Sequence, residues 1–150
     1  MTPARRRARK TLSSAPGLEV GPKRLLLDTH VWLWWQASDA RLGEQTRQLV
    51  QHASEVRFSA ASAWEISIKV AIGKLTLPRS ADIAVELLES GFLALPVEIA
   101  HAEHVRLLPP LHRDPFDRLL VAQARLEALT LVTADGALAA YGIDVLDATA

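Results

Sequence analysis

The run Leu25-Leu26-Leu27-Asp28 constrains this chain more than any other stretch. An unbroken apolar run with no alternation is the pattern of a short strand covered on both faces. Strands of that kind sit in parallel sheets, because the crossover helices cover both sides. An ionised carboxylate at the end of such a strand is costly to bury unless it is paired, hydrogen-bonded or bound to a metal. Asp28 therefore needs a partner as well as a place in the fold.

Similar short runs recur along the chain: VRFSA, FLALPV, TLVTAD and IDVLDA. Helical patterns separate them. THVWLWWQ is a turn or two of helix, and RLGEQTRQLVQHA is a surface helix with Leu42, Leu49 and Val50 on its apolar side. SAWEISIKVAIGKL is expected to bury a stripe of Trp64, Ile68, Ala71, Ile72 and Leu75. ADIAVELLESG closes on Gly91, and EIAHAEHVRLL stops at Pro109 and Pro110. DPFDRLLVAQARLEA carries Asp114 as cap and Pro115 at its first position. DGALAAYG is a last short helix. Strands alternating with helices predict an α/β fold with a mainly parallel sheet and helices on both faces. Ligands of such sheets bind beyond the carboxyl ends of the strands, which is where Asp28 stands.

Composition narrows the function classes. The chain has 150 residues, no cysteine and no apolar run near the length of a membrane span. Disulfides, thiolate metal sites and thiol nucleophiles are excluded, and no membrane partner is expected. The lack of cysteine is consistent with a reducing cytoplasm, which is the expected location. The net charge of +0 hides an asymmetry. Residues 1–24 hold seven basic side chains against Glu19 alone, so the remainder is acidic. Residues 1–22 read as a disordered basic leader or as a misassigned start, with the native first residue near Val20, and residues 23–150 as the folded domain. An intact mass of the natively expressed protein decides between the two; a full-length mass excludes the misassigned start.

Four acids share the address at the strand ends: Asp28, Glu65, Asp117 and Asp135. Each has a purely structural explanation. Asp28 can cap the helix after it. Ser62 and Glu65 have capping-box spacing, and Glu65 can pair with Lys69 one turn on. Asp117 suits the first turn of a helix, and Asp135 before Gly136 suits a cap or a turn. Four carboxylates in one place, however, raise one another's pKa unless a cation joins them. A hard divalent ion with oxygen ligands is the usual answer. It can polarise a phosphoryl oxygen and activate water.

LLLDTHVWLWW, SAASAWEISIKVAIGKLTLP, HRDPFDRLLVAQA and LVTAD, in that order, resemble the motifs of the PIN-domain nucleases. Within that family the resemblance is to the VapC-type toxins of bacterial toxin–antitoxin pairs, over about residues 24–148. The resemblance implies a three-layer α/β/α sandwich around a parallel sheet of about five strands. It implies Mg²⁺, or Mn²⁺ in its place, held by Asp28, Glu65, Asp117 and Asp135, and metal-dependent cleavage of RNA by activated water. It also implies a homodimer and a small cognate antitoxin whose C-terminal segment blocks the active site. The third motif offers both Asp114 and Asp117; Asp117 is favoured for the metal because Asp114 already serves as the cap.

Other residues carry weaker signals. Thr29, Ser62 and Thr133 adjoin the acids and are auxiliary candidates that could hydrogen-bond them, with capping as an equal alternative. Arg113 and Arg118 are candidate phosphate contacts, against salt bridges to neighbouring acids. His101 and His104 have zinc-like spacing but no third ligand, so a solvated helix face is expected. His30 and His112 lie near the acidic motifs; either could touch substrate phosphate, but a lone histidine is more often structural. Trp32, Trp34 and Trp35 could stack on bases, but core or subunit packing is the stronger reading. An aspartate-nucleophile phosphatase needs a second aspartate where His30 stands. A receiver domain needs a lysine after its last strand, and the last lysine here is Lys74. A non-catalytic RNA- or protein-binding α/β module is the alternative from another class.

Overall fold

The computed structural model describes residues 21–150. The expected leader therefore falls almost wholly outside the described residues. Five strands form one parallel sheet: β1 (Arg24–Leu27), β2 (Glu55–Ser59), β3 (Leu93–Leu95), β4 (Thr130–Thr133) and β5 (Val145–Asp147). The helices are α1 (Thr29–Gln36), α2 (Glu44–Gln51), α3 (Ala60–Ala71), α4 (Ile83–Ser90), α5 (Ile99–His104) and α6 (Pro115–Glu127). Two segments expected to be α-helical tighten into 3₁₀ turns, Val105–Leu107 and Gly136–Tyr141. None of the described helices is long and apolar enough to cross a membrane.

β1 is covered on both faces, as its leucines require. Leu25 and Leu27 enter one core with Val31, Trp32, Phe58 and Ile66. Leu26 enters the other with Leu120, Leu131 and Leu138. All three leucines are fully buried, each worth roughly 1.5–3 kcal/mol of transfer free energy. The result is a three-layer sandwich with β1 at its centre.

The strand order is β3-β2-β1-β4-β5. The chain builds outward from β1 to β2 and β3, then crosses back to lay β4 and β5 on the other side. The order reverses between β1 and β4, and the crevice beyond their carboxyl ends is where open α/β sheets bind ligands. Asp28 stands in that crevice, its N–H donating to the Val132 carbonyl at 2.9 Å.

The C-terminal segment is tied to α2. Gly43 N–H donates to Ala148 O at 3.0 Å and Thr46 Oγ1 to Asp147 O at 2.8 Å. A Cβ at Gly43 would collide with the Ala150 carbonyl, so only glycine permits this approach.

The expected stripe on α3 is corrected by the fold. Trp64 and Ile72 are 63% and 60% exposed, and Ala71 also faces solvent. The buried face is Ala61, Ser62, Glu65 and Ile66. The helix starts earlier than the capping-box spacing suggests. Its N-cap is Ser59, whose Oγ accepts from Ala61 N–H at 3.0 Å and donates to Gln123 Oε1 at 2.6 Å. Starting there turns Glu65 inward and Trp64 outward. Ser62 is left without the capping role: its buried Oγ has no hydrogen-bond partner among the described residues.

The solvated face expected for His101 is also overturned. His101 is buried, accepts from Glu98 N–H through Nδ1 at 2.9 Å and meets Glu127 Oε1 through Nε2 at 2.8 Å. It completes the start of α5 and joins it to α6, a structural role.

Candidate active site

The four acids singled out by the sequence converge. Asp28, Glu65, Asp117 and Asp135, joined by Asp114, line one cleft of about 430 Å³, with His30, Trp34 and Lys69 at its walls. Asp28 is delivered by β1 and caps α1, its Oδ1 accepting from Thr29 N–H at 2.6 Å. Glu65 projects from α3, Asp114 and Asp117 from the start of α6, and Asp135 from the end of β4.

Two threonines hold the deepest acids. Thr29 Oγ1 donates to Glu65 Oε1 at 2.7 Å, and Thr133 Oγ1 donates to Asp28 Oδ2 at 2.7 Å. Thr133 Oγ1 in turn accepts from Asp135 N–H at 3.0 Å, which links β4's acid to β1's. Both hydroxyls are buried, and hydrogen bonds to ionised acceptors are about twice as strong as neutral ones. Lys69 Nζ takes Glu65's other oxygen at 2.9 Å, and this bond raises the lysine pKa above its ordinary value.

Asp114 is a cap, as expected: its Oδ1 accepts from Phe116 N–H at 2.8 Å and Asp117 N–H at 3.1 Å. Asp117 is different. No amide or hydroxyl among the described residues donates to its carboxylate, and its nearest donor is His112 Nε2 at 3.5 Å. Burial, then the charges of Asp28 and Asp114, push its pKa up to about 7. Burial also raises Asp28, against the lowering effect of Thr133 and Thr29.

Such a set fits a hard divalent cation. The ligands on offer are carboxylate oxygens from four separate elements, and burial and the neighbouring acids Asp28 and Asp114 raise the pKa of one of them, Asp117, to about 7, a penalty that a bound cation would relieve. Asp117 Oδ2 and Asp135 Oδ2 also lie with His112 Nε2 inside a 4.8 Å cluster.

A sequence model of the PIN domain matches residues 25–144. This chain belongs to the PIN-domain family. Ribonuclease VapC22 of Mycobacterium tuberculosis is 30% identical over 112 residues, which cover 74% of this chain and 86% of that protein. Among solved structures, DNA-bound VapBC from Salmonella typhimurium superposes with a TM-score of 0.64 at 19% identity, covering 83% of this chain and 98% of that one. VapBC2 from Rickettsia felis, bound to a promoter DNA fragment, gives 0.62 at 13%, covering 82% and 97%. Those two likenesses establish a shared PIN-type fold.

The remaining candidates of this PIN domain fall into place around the cleft. Arg118 is occupied: its guanidinium donates to the carbonyls of Pro109, Val105 and Leu108 and to the Tyr141 hydroxyl, fastening the α5–α6 connection. Neither a salt bridge nor a free phosphate donor describes it. Arg113 is exposed beside the third motif. Trp32 is buried against Phe58, and Trp35 packs on Phe92. Trp34 lies under Arg41 and forms part of the cleft wall. Sequence reasoning gave no weight to Lys69 in the cleft beyond its pairing with Glu65; the four-residue spacing carried that signal.

Proposed function

We propose that this PIN domain is a metal-dependent ribonuclease and the toxin of a toxin–antitoxin pair. The observation that carries the reading is the convergence of Asp28, Glu65, Asp117 and Asp135 in one cleft at the reversal of strand order. Its relative Ribonuclease VapC22 bears that activity in its name.

Mg²⁺, with Mn²⁺ as substitute, is the proposed cofactor, held by those four carboxylates directly or through waters. Bound there, the ion would supply Lewis-acid stabilisation of a phosphoryl oxygen and a lowered pKa for a water nucleophile. The protein's own residues do the rest. Thr29 and Thr133 fix the orientations of Glu65 and Asp28. Lys69 offsets part of the acidic charge at the wall of the cleft, easing approach of a phosphate. Arg113, exposed beside the cleft, is the proposed phosphate contact on the RNA backbone.

The antitoxin is read from the adjoining surface. An apolar groove of about 520 Å³, lined by Leu33, Leu75, Leu77 and Pro78, shares His30 and Trp34 with the acidic cleft. A peptide segment lying in it reaches the carboxylates. Exposed Trp64, edge-on to Phe116 at 5.4 Å, is the proposed centre of a homodimer contact. A cytoplasmic location, where an RNA substrate is at hand, is part of the same proposal.

The test is cleavage of an RNA pool by purified protein with Mg²⁺ or Mn²⁺ and with EDTA, beside Asp28→Ala. Cleavage that requires both the metal and Asp28 is expected. Cleavage that persists in EDTA, or in Asp28→Ala, defeats the reading. Binding of RNA with neither cleavage nor metal uptake supports the non-catalytic module instead.

A further inference from the structure

His112 joins two acids, Asp117 and Asp135, that no other side chain among the described residues joins. It lies in the connection before α6, and its Nδ1 accepts the Asp114 N–H at 3.1 Å. A ring nitrogen that accepts carries no proton, so the neutral ring carries its proton on Nε2. That Nε2 is 3.0 Å from Asp135 Oδ2 and 3.5 Å from Asp117 Oδ2.

A His-Asp-Asp cluster this tight invites two readings. The imidazole could ligate a cation, or it could donate to the carboxylates. A ligating nitrogen must offer a lone pair. Nδ1's is taken by the Asp114 amide and Nε2 carries the proton, so the ring faces the acids as a donor.

We propose that His112 is a positioning residue of the nuclease site: its Nε2–H holds Asp135 and steadies Asp117 at the spacing the cation requires, without ligating the cation. This rests on the metal-dependent reading above. Asp135 Oδ1 already accepts from Ala137 N–H at 3.1 Å, so the bond from His112 pins the second oxygen and stops the carboxylate turning. The ring itself cannot drift, because the Asp114 that orients it also caps α6 through Oδ1. One side chain thus locks the end of β4 to the first turn of α6.

The test is Mn²⁺ affinity of the full chain by calorimetry, with RNA cleavage measured beside it. His112→Ala is expected to weaken Mn²⁺ binding by roughly 10- to 100-fold, the range seen when supports of metal ligands are removed, and to lower kcat while KM for RNA stays unchanged. His112→Gln, whose amide supplies a donor near the Nε2 position, is expected to recover most of both. His112→Gln binding as poorly as His112→Ala overturns the proposal in favour of an imidazole ligand. His112→Ala binding and cleaving like the parent overturns it outright. Asp117→Asn separates the two levels. If that variant binds Mn²⁺ as tightly as the parent, the metal site itself is wrong and the role of His112 falls with it. If only the His112 variants behave unexpectedly, the metal site stands and the positioning role alone fails.

Discussion

The cleft has an inner and an outer half, and they are built differently. Asp28 and Glu65 form the inner half, both under one-tenth exposed. Every oxygen of this pair has a donor: Thr29 N–H, Thr133 Oγ1, Thr29 Oγ1 and Lys69 Nζ. Asp114, Asp117 and Asp135 form the outer half, more open to water. There the donors are helix-start amides and His112, and among the described residues Asp117 has only the distant Nε2. The inner pair keeps its geometry without an ion. The outer group holds a carboxyl, Asp117, whose pKa burial and the charges of Asp28 and Asp114 raise to about 7. Preorganisation is thus concentrated in the inner pair, while burial raises the pKa of an acid in each half, Asp28 within and Asp117 without.

The sharpest way to break this comparison is to remove one acid from each half. Asp28→Ala and Asp117→Ala are each expected to lower RNA cleavage roughly 10³-fold, since metal-assisted stabilisation supplies several kcal/mol and each 1.36 kcal/mol is tenfold. Both variants should keep parental circular dichroism. An Asp117→Ala enzyme as fast as the parent would falsify the role given to the outer half.

A smaller effect probes the inner half. Thr133→Val removes the side-chain donor to Asp28 and is expected to weaken Mn²⁺ binding about tenfold, as losses of support around a metal ligand do. Calorimetry measures it. Unchanged affinity means that the Thr29 amide alone fixes Asp28.

The outer half has its own pH signature in EDTA. Asp117's folded pKa of about 7 lies above its ordinary 3.8, so between those values the folded state binds more protons than the unfolded chain. Stability from this group is therefore lost as pH rises from about 4 to about 7. Asp117→Asn should be more stable than the parent at pH 8, by about 1–2 kcal/mol after discounting for solvent screening, and nearly equal to it at pH 4. Thermal melts at the two pH values check this; equal gains at both mean that the carboxyl is not strained by its neighbours.

The smallest expected change lies outside both halves. Trp64→Ser should cost the monomer about 0.5–1 kcal/mol, the worth of its edge-on contact with Phe116, while weakening self-association. Sedimentation over a concentration series reads it. A monomeric parent, or a variant that dimerises as well as the parent, removes Trp64 from the dimer contact.

The sequence by itself determined the order of strands and helices, the two-faced burial of Leu25, Leu26 and Leu27, and the capped start of α6 at Asp114 and Pro115. It also picked out the four acids that meet. These are local facts: a period, a cap and a strand end leave their mark within a few residues. Only the tertiary structure decided which way α3 faces. Its apolar residues Trp64 and Ile72 turn to solvent so that Glu65 can reach the cleft, and a pattern read by hydrophobicity alone inverts at such a functional face. Tertiary structure likewise sent Arg118 to carbonyls, buried His101 against Glu127 and set His112 between Asp117 and Asp135. Each of those outcomes depends on partners from other elements, brought close by the crossing of the chain over β1. No window along the sequence contains both members of such a pair.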